Sequence, residues 1–508
     1  MGSSEDHGRS SRRLGAGSDR DTRLTFLIGL AAFAYYLLIL GGHQYSIDGI
    51  AMFQSAKALV FRHSWRFDPP LLWGRVPIDV GGWPLGMTFA YVPLLVVLYP
   101  VFVWFPGLQA MPYDPSLPQN PALYSNAAYL LCSVLNPLLT AGTACLVFHA
   151  GRLLGLRREL AVLAALVYGF GSPAAAYARY DYAQPLAALT LTATVWGVLR
   201  ADRTGSRRPL VWAGIALGYG LLTRIEFVVL AVWIIGWVYL RSRRRSAQEP
   251  WLHAGILAGG MALAILVHVL INWVKFGDPT AFRGGRRIAA LFPGSPSGFA
   301  QGLAGLLVSP AHGLLFFFPL AWLALPGLRI LARHRTAAGS LFGGVIAISL
   351  VLYASFHFWW GGWCWGPRYL LPILPLVTLA AAAWLSSATG TTLAARRAVF
   401  LLLAALGLVV SWNGILTDFI FHLGWIQQSL GLPDTWATQF RPVASPLITG
   451  WLPQSGRPID IFWVKLASGR LPMPGARWIG ALIPMILLGG IVWAGRRIAE
   501  ELRAGDRL

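Results

Sequence analysis

A carboxylate lies a few residues beyond the first long apolar run of the chain. The run covers residues 24–42, and Asp48 follows it in the segment His43-Gln44-Tyr45-Ser46-Ile47-Asp48-Gly49. At a membrane surface such a carboxylate could act as a general base, which must lie within hydrogen-bond reach of the proton it takes. The same residues also fit an Asp-Gly turn, or the cap of a helix that starts at Ile50. The local sequence leaves both interpretations of Asp48 open: a catalytic base, or a turn or cap residue.

Two more carboxylates follow in the same segment. Asp68, Arg75 and Asp79 precede a Gly81-Gly82-Trp83-Pro84 turn, which would fold the chain back over the membrane surface. The acids could hold a metal ion or orient a second reactant, and the alternative is that they are solvated loop acids. We place Asp79 in the substrate cavity. A divalent metal ion stays an open option, and the sequence specifies no cofactor.

Basic residues are concentrated between positions 275 and 287. Lys275, Arg283, Arg286 and Arg287 lie there with two glycines at 284 and 285, which allow backbone to approach a ligand closely. The planar fork of an arginine matches phosphate oxygens with two hydrogen bonds. We predict that these basic residues bind a lipid phosphate or pyrophosphate near the outer leaflet. General attraction to anionic lipid headgroups is the alternative.

The most unusual segment is rich in tryptophan. It reads Phe356-His357-Phe358-Trp359-Trp360-Gly361-Gly362-Trp363-Cys364-Trp365-Gly366-Pro367-Arg368-Tyr369 and joins two apolar runs. Tryptophans commonly form a belt at the membrane interface. A belt does not require a Gly-Gly break, a Gly-Pro turn and an arginine in one short connection. We predict that Arg368 binds phosphate and that Trp363, Trp365 and Tyr369 line the substrate cavity.

Charged residues also lie at the ends of the middle apolar runs. One connection reads Arg179-Tyr180-Asp181-Tyr182-Ala183-Gln184-Pro185, and another reads Thr223-Arg224-Ile225-Glu226. Ionisable groups near membrane depth are unfavourable unless they are paired or line a polar cavity. We predict that Arg224 pairs with a carboxylate. Asp181 and Tyr45 are placed in the substrate cavity, with structural pairing as the alternative for Asp181.

The elements that must position these residues are membrane-spanning helices. Of 508 residues, 56% are hydrophobic and only 12% are charged, and the charged residues cluster between long apolar runs. A spanning helix needs about 20 mostly apolar residues. Such runs lie near residues 24–42, 123–150, 159–177, 184–200, 209–223, 226–240, 251–274, 312–330, 337–357, 369–388, 398–416 and 478–495. The predicted fold is an all-α polytopic membrane protein with about 12 transmembrane helices, long extracytoplasmic loops and interfacial helices.

The arginines orient these helices. With both termini inside, the short basic connections at 157–158, 203–208, 241–245, 333–335 and 396–397 all fall on the cytoplasmic side. The long segments 43–122, 275–311 and 417–477 then lie on the extracytoplasmic side. This fits the clustering of chemically interesting residues in those segments, and it predicts a site that faces the extracytoplasmic side of the cytoplasmic membrane.

Two segments need separate predictions. The apolar stretch at 86–106 would invert every later basic connection if it crossed the bilayer, so we predict a re-entrant or interfacial helix. Residues 1–23 are rich in Gly, Ser, Asp and Arg and are predicted to be a disordered cytoplasmic tail. Residues 24–508 are predicted to form a single integral-membrane domain.

Composition also argues against two classes of site. The net charge of +21 does not indicate a nucleic-acid partner, because the arginines flank apolar runs and do not lie along one amphipathic face. Cys132, Cys145 and Cys364 lie in or near apolar runs without paired spacing. Neither a disulfide framework nor a zinc site follows from them.

Taken in order, the motifs resemble the GT-C superfamily of membrane glycosyltransferases, which use polyprenyl-phosphate sugars as donors. The resemblance is to its bacterial members related to protein O-mannosyltransferases and lipid A aminoarabinose transferases, and it spans nearly the whole chain. The motifs are Tyr45-Ser46-Ile47-Asp48-Gly49, Gly82-Trp83-Pro84-Leu85-Gly86, Ala178-Arg179-Tyr180-Asp181-Tyr182-Ala183-Gln184-Pro185, Leu222-Thr223-Arg224-Ile225-Glu226-Phe227, Asn272-Trp273-Val274-Lys275-Phe276-Gly277-Asp278-Pro279, Ser309-Pro310-Ala311-His312-Gly313-Leu314 and residues 359–369.

The resemblance implies an enzyme that moves a sugar, with inversion, from a polyprenyl-phosphate donor to an extracytoplasmic acceptor. Asp48 matches the catalytic base of the family. The family usually has Asp-Glu at this place and often has Glu before the later proline, whereas this chain has Asp48-Gly49 and Gln184. The implied partners are the lipid-linked donor, the bilayer and a lipid, glycan or protein acceptor. Neither the sugar nor the acceptor follows from the sequence.

A multi-pass transporter or a flippase for lipid-linked sugars is the alternative function. Such a protein would place ionisable groups near the bilayer midplane in broken helices and would show repeats in its two halves. The candidate residues of this chain instead gather at one predicted membrane face. This placement favours surface chemistry over alternating access.

Overall fold

A computed structural model describes residues 4–73, 76–80, 82–106, 127–244, 249–279, 296–333, 338–451, 459–469 and 475–504. The elements of the first half are α1 (Ser4–Leu38), α2 (Ile47–Arg62), β1 (Arg66–Trp73), β2 (Val76–Val80), α3 (Leu85–Trp104), α4 (Ala127–Cys132), α5 (Leu135–Leu153), α6 (Arg158–Gly171), α7 (Ala174–Tyr177), α8 (Gln184–Thr204), α9 (Arg208–Thr223) and α10 (Phe227–Arg243).

The second half is also built from helices. They are α11 (Pro250–Phe276), α12 (Pro296–Val308), α13 (Leu314–Phe317), a 3-10 helix (Pro319–Leu323), α14 (Ala324–Arg333), α15 (Ala338–Ala354), a 3-10 helix (Arg368–Ile373), α16 (Leu374–Ser386), α17 (Thr392–Leu416), α18 (Phe419–Ser429), α19 (Trp436–Gln439), a 3-10 helix (Pro442–Ala444), α20 (Pro446–Thr449), α21 (Phe462–Ala467) and α22 (Ala476–Arg503).

Seven of the described helices are long and apolar enough to cross a membrane. They are Asp19–Leu38, Leu85–Trp104, Tyr129–Leu153, Pro250–Phe276, Arg368–Ser386, Thr392–Leu416 and Ala476–Arg503. The predicted class of a helical, multi-pass membrane protein is therefore confirmed. The total of about 12 spans stays a prediction, because several other apolar helices have fewer than the roughly 20 residues of a full span.

The spanning helices differ in how deeply they are buried. Of the apolar window in Arg368–Ser386, 89% is buried, whereas only 11% of the window in α22 is buried. Small residues allow the buried segment Arg368–Ser386 to pack closely against α14. A Cβ atom added to Gly327 of α14 would overlap the carbonyl group of Ala380. Peripheral α22 instead exposes Trp478 and Ile486, as expected of a helix that faces lipid.

Two predicted elements differ from the observed ones because of proline and local pairing. The run 312–330 is not one helix but three short helical pieces, since Pro319 lacks an N–H donor and pushes Phe318 out of the helical region. The residues of the predicted tail from Ser4 onward are part of the first helix, which contacts α6 through Asp21, whose carboxylate pairs with Arg158 at 2.5 Å.

A β-hairpin is the exception to the all-α prediction. Strands β1 and β2 pair antiparallel, with Trp73 opposite Val76 and Arg66 opposite Val80. The sequence of β1 contains two adjacent prolines and lacks the polar–apolar alternation that indicates a strand. This hairpin connects α2 to the loop that carries Trp83.

The stretch predicted to lie along the interface forms one continuous helix, α3. Its length and hydropathy are those of a possible span, and it packs against α2 and α9. A continuous helix of 20 residues excludes the re-entrant alternative. That the helix lies along the interface, and does not cross, stays a prediction.

Ion pairs link several segments that the sequence predicts to be cytoplasmic. Asp21 of α1 accepts from both Arg152 and Arg158, and Glu501 of α22 pairs with Arg23 at 2.9 Å. These contacts place residues 21–23 of α1, the α5–α6 connection and the end of α22 at one end of the helix bundle. The candidate residues lie at the other end, which we call the site face.

Candidate active site

Asp48 lies in the first turn of α2. The helix is capped by Ser46, whose Oγ accepts from the backbone N–H of Gly49 at 2.9 Å. Because Ser46 is the cap, the alternative role of Asp48 as a cap for a helix starting at Ile50 is wrong. The carboxylate still benefits from the positive end of the helix dipole.

Both carboxylate oxygens of Asp48 have defined partners. Trp83 Nε1 donates to Oδ1 at 2.7 Å, and Arg368 Nη2 donates to Oδ2 at 3.2 Å. The side chain of Asp48 remains 18% exposed. The structure thus brings the predicted base and the predicted phosphate ligand into direct contact, and the Asp48 side chain stays partly exposed.

Arg368 is held between aromatic rings. Its guanidinium lies 4.6 Å from the ring centroid of Tyr182 and 5.3 Å from that of Tyr369. The Tyr182 hydroxyl in turn donates to the carbonyl of Trp363, which belongs to the tryptophan-rich connection. Stacking on both rings fixes the plane of the guanidinium, so its remaining N–H groups point in set directions.

A second arginine approaches the same place. Arg224 pairs with Glu226 at 2.5 Å, which confirms the predicted pairing, and its guanidinium lies 5.4 Å from the Tyr369 ring. With the Gln184 amide oriented to satisfy its neighbours, its oxygen accepts from Arg224 Nη1 at 3.0 Å and from Arg368 Nε at 3.3 Å. Two guanidinium groups therefore converge on one amide oxygen and one ring, at the edge of the Asp48 carboxylate.

A buried charge cluster lies behind this site, centred on Asp460. The carboxylate accepts from His43 and Lys465 at 2.8 Å each and from the Tyr45 hydroxyl at 2.6 Å, and it pairs with Arg179. Burial alone would raise the pKa of Asp460, but Lys465 and Arg179 hold it well below its usual range. We call these five residues the Asp460 cluster.

The Asp460 cluster does not fit a metal site. Ligand atoms of His43, Asp418 and Asp460 lie within 4.8 Å of one another, which is the spacing of a metal site. However, Arg179 and Lys465 already neutralise Asp460, and a divalent cation there would be repelled by both. Burial and the charge of Asp460 also raise the pKa of Asp418. Among the described residues, we therefore interpret this network as a structural ion-pair cluster.

The other predicted site residues lie in several places. Lys275 Nζ lies 5.1 Å from the ring of Trp65, at the edge of the first loop. Trp363 is 41% exposed, whereas Trp365 is fully buried and donates to Asn413 at 3.1 Å. Asp79 belongs to β2, but its side chain lies outside the described part of the structure, as do Arg283, Arg286 and Arg287.

Tyr45 and Asp181 were placed in the substrate cavity, and both are buried. Tyr45 is 2% exposed and belongs to the Asp460 cluster, while Asp181 is 0% exposed and contacts Ser46. Their side chains therefore support the site from behind.

Sequence reasoning missed three residues that contact the site directly. They are Trp83, Tyr182 and Gln184. Each belongs to a motif that was singled out for its neighbours: Trp83 for the Gly-Gly turn, Tyr182 and Gln184 for Asp181. The available signal was that these polar or aromatic residues sit beside charged ones at helix ends.

This chain resembles known proteins both in sequence profile and in structure. Residues 124–272 match the sequence profile of a family described as dolichyl-phosphate-mannose-protein mannosyltransferase. The structure of ArnT from Cupriavidus metallidurans bound to undecaprenyl phosphate aligns with a TM-score of 0.50 and 12% identity, over 94% of this chain and 77% of that chain. The chain has the GT-C fold. The resemblance seen in the motifs is confirmed.

Two further structures align with this chain at lower TM-scores. Archaeal oligosaccharyltransferase AglB from Archaeoglobus fulgidus gives a TM-score of 0.48 at 11% identity, over 91% of this chain and 63% of that chain. The S. cerevisiae protein O-mannosyltransferase Pmt1-Pmt2 complex gives 0.37 at 15% identity, over 57% and 36%. Comparison with curated protein sequences gives no significant match.

Proposed function

We propose that this chain is a membrane glycosyltransferase that moves a sugar from a polyprenyl-phosphate donor to an acceptor hydroxyl, with inversion. We assign the site face to the extracytoplasmic side of the cytoplasmic membrane. The observation that carries the proposal is the contact between Asp48 and Arg368, an acid beside a guanidinium at the helix ends of a GT-C fold. The sugar-transferase profile over residues 124–272 supports the same class.

The donor phosphate would bind to the two converging arginines. Arg368 and Arg224 already share the Gln184 oxygen and the Tyr369 ring, so the two guanidinium groups lie close enough for one phosphate group to accept hydrogen bonds from both. Lys275 and the arginines at 283, 286 and 287 are proposed to add positive charge around the lipid phosphate. ArnT, with the same fold, was solved with undecaprenyl phosphate bound.

Phosphate binding would also free the base. In the structure Arg368 occupies Oδ2 of Asp48, while Trp83 holds Oδ1. A phosphate that competes for Arg368 leaves Oδ2 without its cation but leaves the orientation of the carboxylate fixed by Trp83. The base therefore becomes available when the donor is in place.

The transfer step would proceed by a single displacement. The acceptor oxygen forms a bond to the anomeric carbon while its proton passes to Asp48 Oδ2. On the opposite face of the sugar the bond to the phosphate oxygen breaks, and its electron pair stays on the phosphate. Arg368 and Arg224 stabilise this developing charge, which is the usual role of fixed cations at a leaving group. Proposed cavity walls are Tyr369 and the exposed Trp363, with Asp79 as a further candidate.

The test is to measure transfer and its lipid product together. Purified protein in nanodiscs is incubated with a panel of polyprenyl-phosphate sugars and with membrane extracts as acceptor, and release of polyprenyl phosphate is measured. In parallel, mass spectrometry compares envelope glycans of a deletion strain complemented with the wild type, Asp48→Asn or Asp202→Asn. Asp202 pairs with Arg241 at the opposite face, so it is the matched control.

Two results would decide between the candidates. A sugar that is lost on deletion, restored by the wild type and Asp202→Asn but not by Asp48→Asn, supports the transferase. Translocation of an intact lipid-linked sugar, without release of polyprenyl phosphate, would instead identify a flippase.

A further inference from the structure

Asp181 makes its contacts at the start of the helix that carries Asp48. Its carboxylate accepts from Ser46 Oγ at 3.0 Å and from the Ser46 backbone N–H at 3.3 Å. Ser46 Oγ accepts at the same time from Gly49 N–H as the cap of α2. Asp181 thus bonds the residue that caps α2, two positions before Asp48.

The carboxylate of Asp181 also fills the space beside Gly49. A Cβ atom added to Gly49 would overlap Cγ and Oδ2 of Asp181. Position 49 therefore has no room for a side chain, and an acid from another part of the chain lies there instead. The glycine next to the proposed base is explained by this close approach.

The backbone around Asp181 is fixed from behind. Asn136 of α5 donates through Nδ2 to the carbonyls of Tyr180 and Tyr182, the residues on either side. Tyr180, Asp181 and Tyr182 are all buried. The position of the Asp181 carboxylate is consequently set by α5, and α2 is set by the carboxylate.

The electrostatics of this contact depend on protonation. Burial raises the pKa of Asp181 to about 7, although hydrogen bonds from Ser46 oppose the shift. The titratable side chains that interact with it from neighbouring elements are Tyr91 of α3, Tyr129 of α4 and Tyr182. The ionised form accepts the Ser46 bonds and faces the positive end of the α2 dipole.

We propose that Asp181 is a positioning residue for Asp48: through Ser46 it anchors the first turn of α2 and so fixes the Asp48 carboxylate between Trp83 and Arg368. The proposal rests on the proposed function for its effect on rate. The anchoring of α2 is independent of that function and can be measured separately.

The first test measures the anchor without activity. Hydrogen–deuterium exchange is compared between wild type and Asp181→Asn for peptides covering residues 47–53 and, as an internal control, 374–386. Asn keeps one oxygen but places an N–H₂ group against one of the two Ser46 donors, so faster exchange is expected at 47–53 and unchanged exchange at 374–386. Equal exchange at 47–53 in both proteins would overturn the proposal, whether or not the protein transfers sugar.

The second test separates rate from binding. Asp181→Asn is expected to lower kcat by about 10-fold to 100-fold, the scale for a misplaced catalytic group, while affinity for polyprenyl phosphate changes by less than about 2-fold. The acid limb of the wild-type pH profile near pH 7 should be absent in Asp181→Asn, because Asn does not titrate. An equal loss of kcat and phosphate affinity would show a general structural role and contradict the proposal.

A double variant distinguishes charge from packing. Gly49→Ala alone should destabilise the protein by overlap, and Asp181→Ala alone should leave a gap. In the double variant the two changes should offset each other in thermal stability, while kcat stays at the level of Asp181→Ala. If the double variant recovered wild-type kcat, Asp181 would act only by filling space and the proposal would fail.

Discussion

Arg368 Nη2 lies 3.2 Å from Asp48 Oδ2, although 320 residues separate the two in the chain. Each is the other's principal counter-charge in a setting where both side chains are largely buried. A carboxylate that is bound to a guanidinium is a poor proton acceptor until the cation has another anion to bind. In the mechanism that we propose, the pair links donor binding to base activity, and it predicts that the acceptor is deprotonated only after the donor phosphate has bound.

Replacing the base should abolish transfer and leave the fold intact. Asp48→Asn keeps an oxygen for Trp83 and keeps the size of the side chain, so the protein should still fold and insert, with a lower thermal stability because the buried Arg368 loses its counter-charge. Transfer from polyprenyl-phosphate donors should fall by about 10²-fold or more, the scale for a lost general base. Transfer at the wild-type rate by purified Asp48→Asn would make Asp48 structural, and Asp79 would be the next base to test.

Replacing Arg368 or Arg224 with lysine should weaken donor binding in both cases. A lysine carries the charge but cannot give two parallel hydrogen bonds or stack on Tyr369. Arg368→Lys and Arg224→Lys should each raise the KM for the donor by about 10-fold, with Arg368→Lys also lowering kcat. Arg241→Lys, at the opposite face, is the control. Unchanged donor KM in Arg224→Lys would remove that residue from the phosphate site.

The Asp460 cluster should control stability and its pH dependence. Asp460→Asn leaves Arg179 buried without its charge partner, and breaking a buried pair costs about 3–5 kcal/mol. Because Lys465 and Arg179 lower the pKa of Asp460, its stabilisation is present above the pKa of an unfolded Asp, about 4, and is lost as the pH falls below that value. Thermal unfolding of detergent-solubilised protein between pH 3 and pH 8 measures both effects.

The control for this measurement is an exposed pair. Glu500→Gln removes the partner of Arg497 at a site where both side chains are more than half exposed, and it should change stability by less than about 1 kcal/mol. A wild type whose stability does not fall at acid pH more steeply than that of Asp460→Asn would contradict the assignment.

The topology of α3 should be decided by labelling. In a variant lacking Cys132, Cys145 and Cys364, single cysteines are placed at Gly82 and Phe105, which flank the helix. We predict that an impermeant thiol reagent reaches both from the outside, because a crossing helix would invert every later basic connection. Labelling of one from each side would show that α3 spans the membrane.

Features that depend on local composition could largely be predicted from the sequence. Contacts between residues that are far apart in the chain could not. Apolar runs and arginine-rich connections gave the helices, and the Asp48 and Arg368 candidates followed from residue type at helix ends. The interruption at Pro319 could have been read from the proline itself. By contrast, the β-hairpin has no alternating pattern, and its pairing depends on the tertiary setting.

The contacts around the site could not be predicted from the sequence for the same reason. Ser46 and Asp181 are 135 residues apart, and His43 and Asp460 are 417 apart. No spacing rule relates residues at such distances. Gly49 was noticed only as a departure from an expected acid, and its meaning required the position of the Asp181 carboxylate.

The dependence of the first loop on Asp460 also constrains the order in which the protein can mature. Tyr45, His43 and Arg179 are synthesised hundreds of residues before the carboxylate that they share, and Phe462 then binds the Leu40 carbonyl at 2.7 Å. While the ribosome is still translating, Arg179 has no access to this counter-ion. The site face can therefore reach its final packing only after residues 460–462 have been synthesised, so the Asp460 cluster forms late in translation.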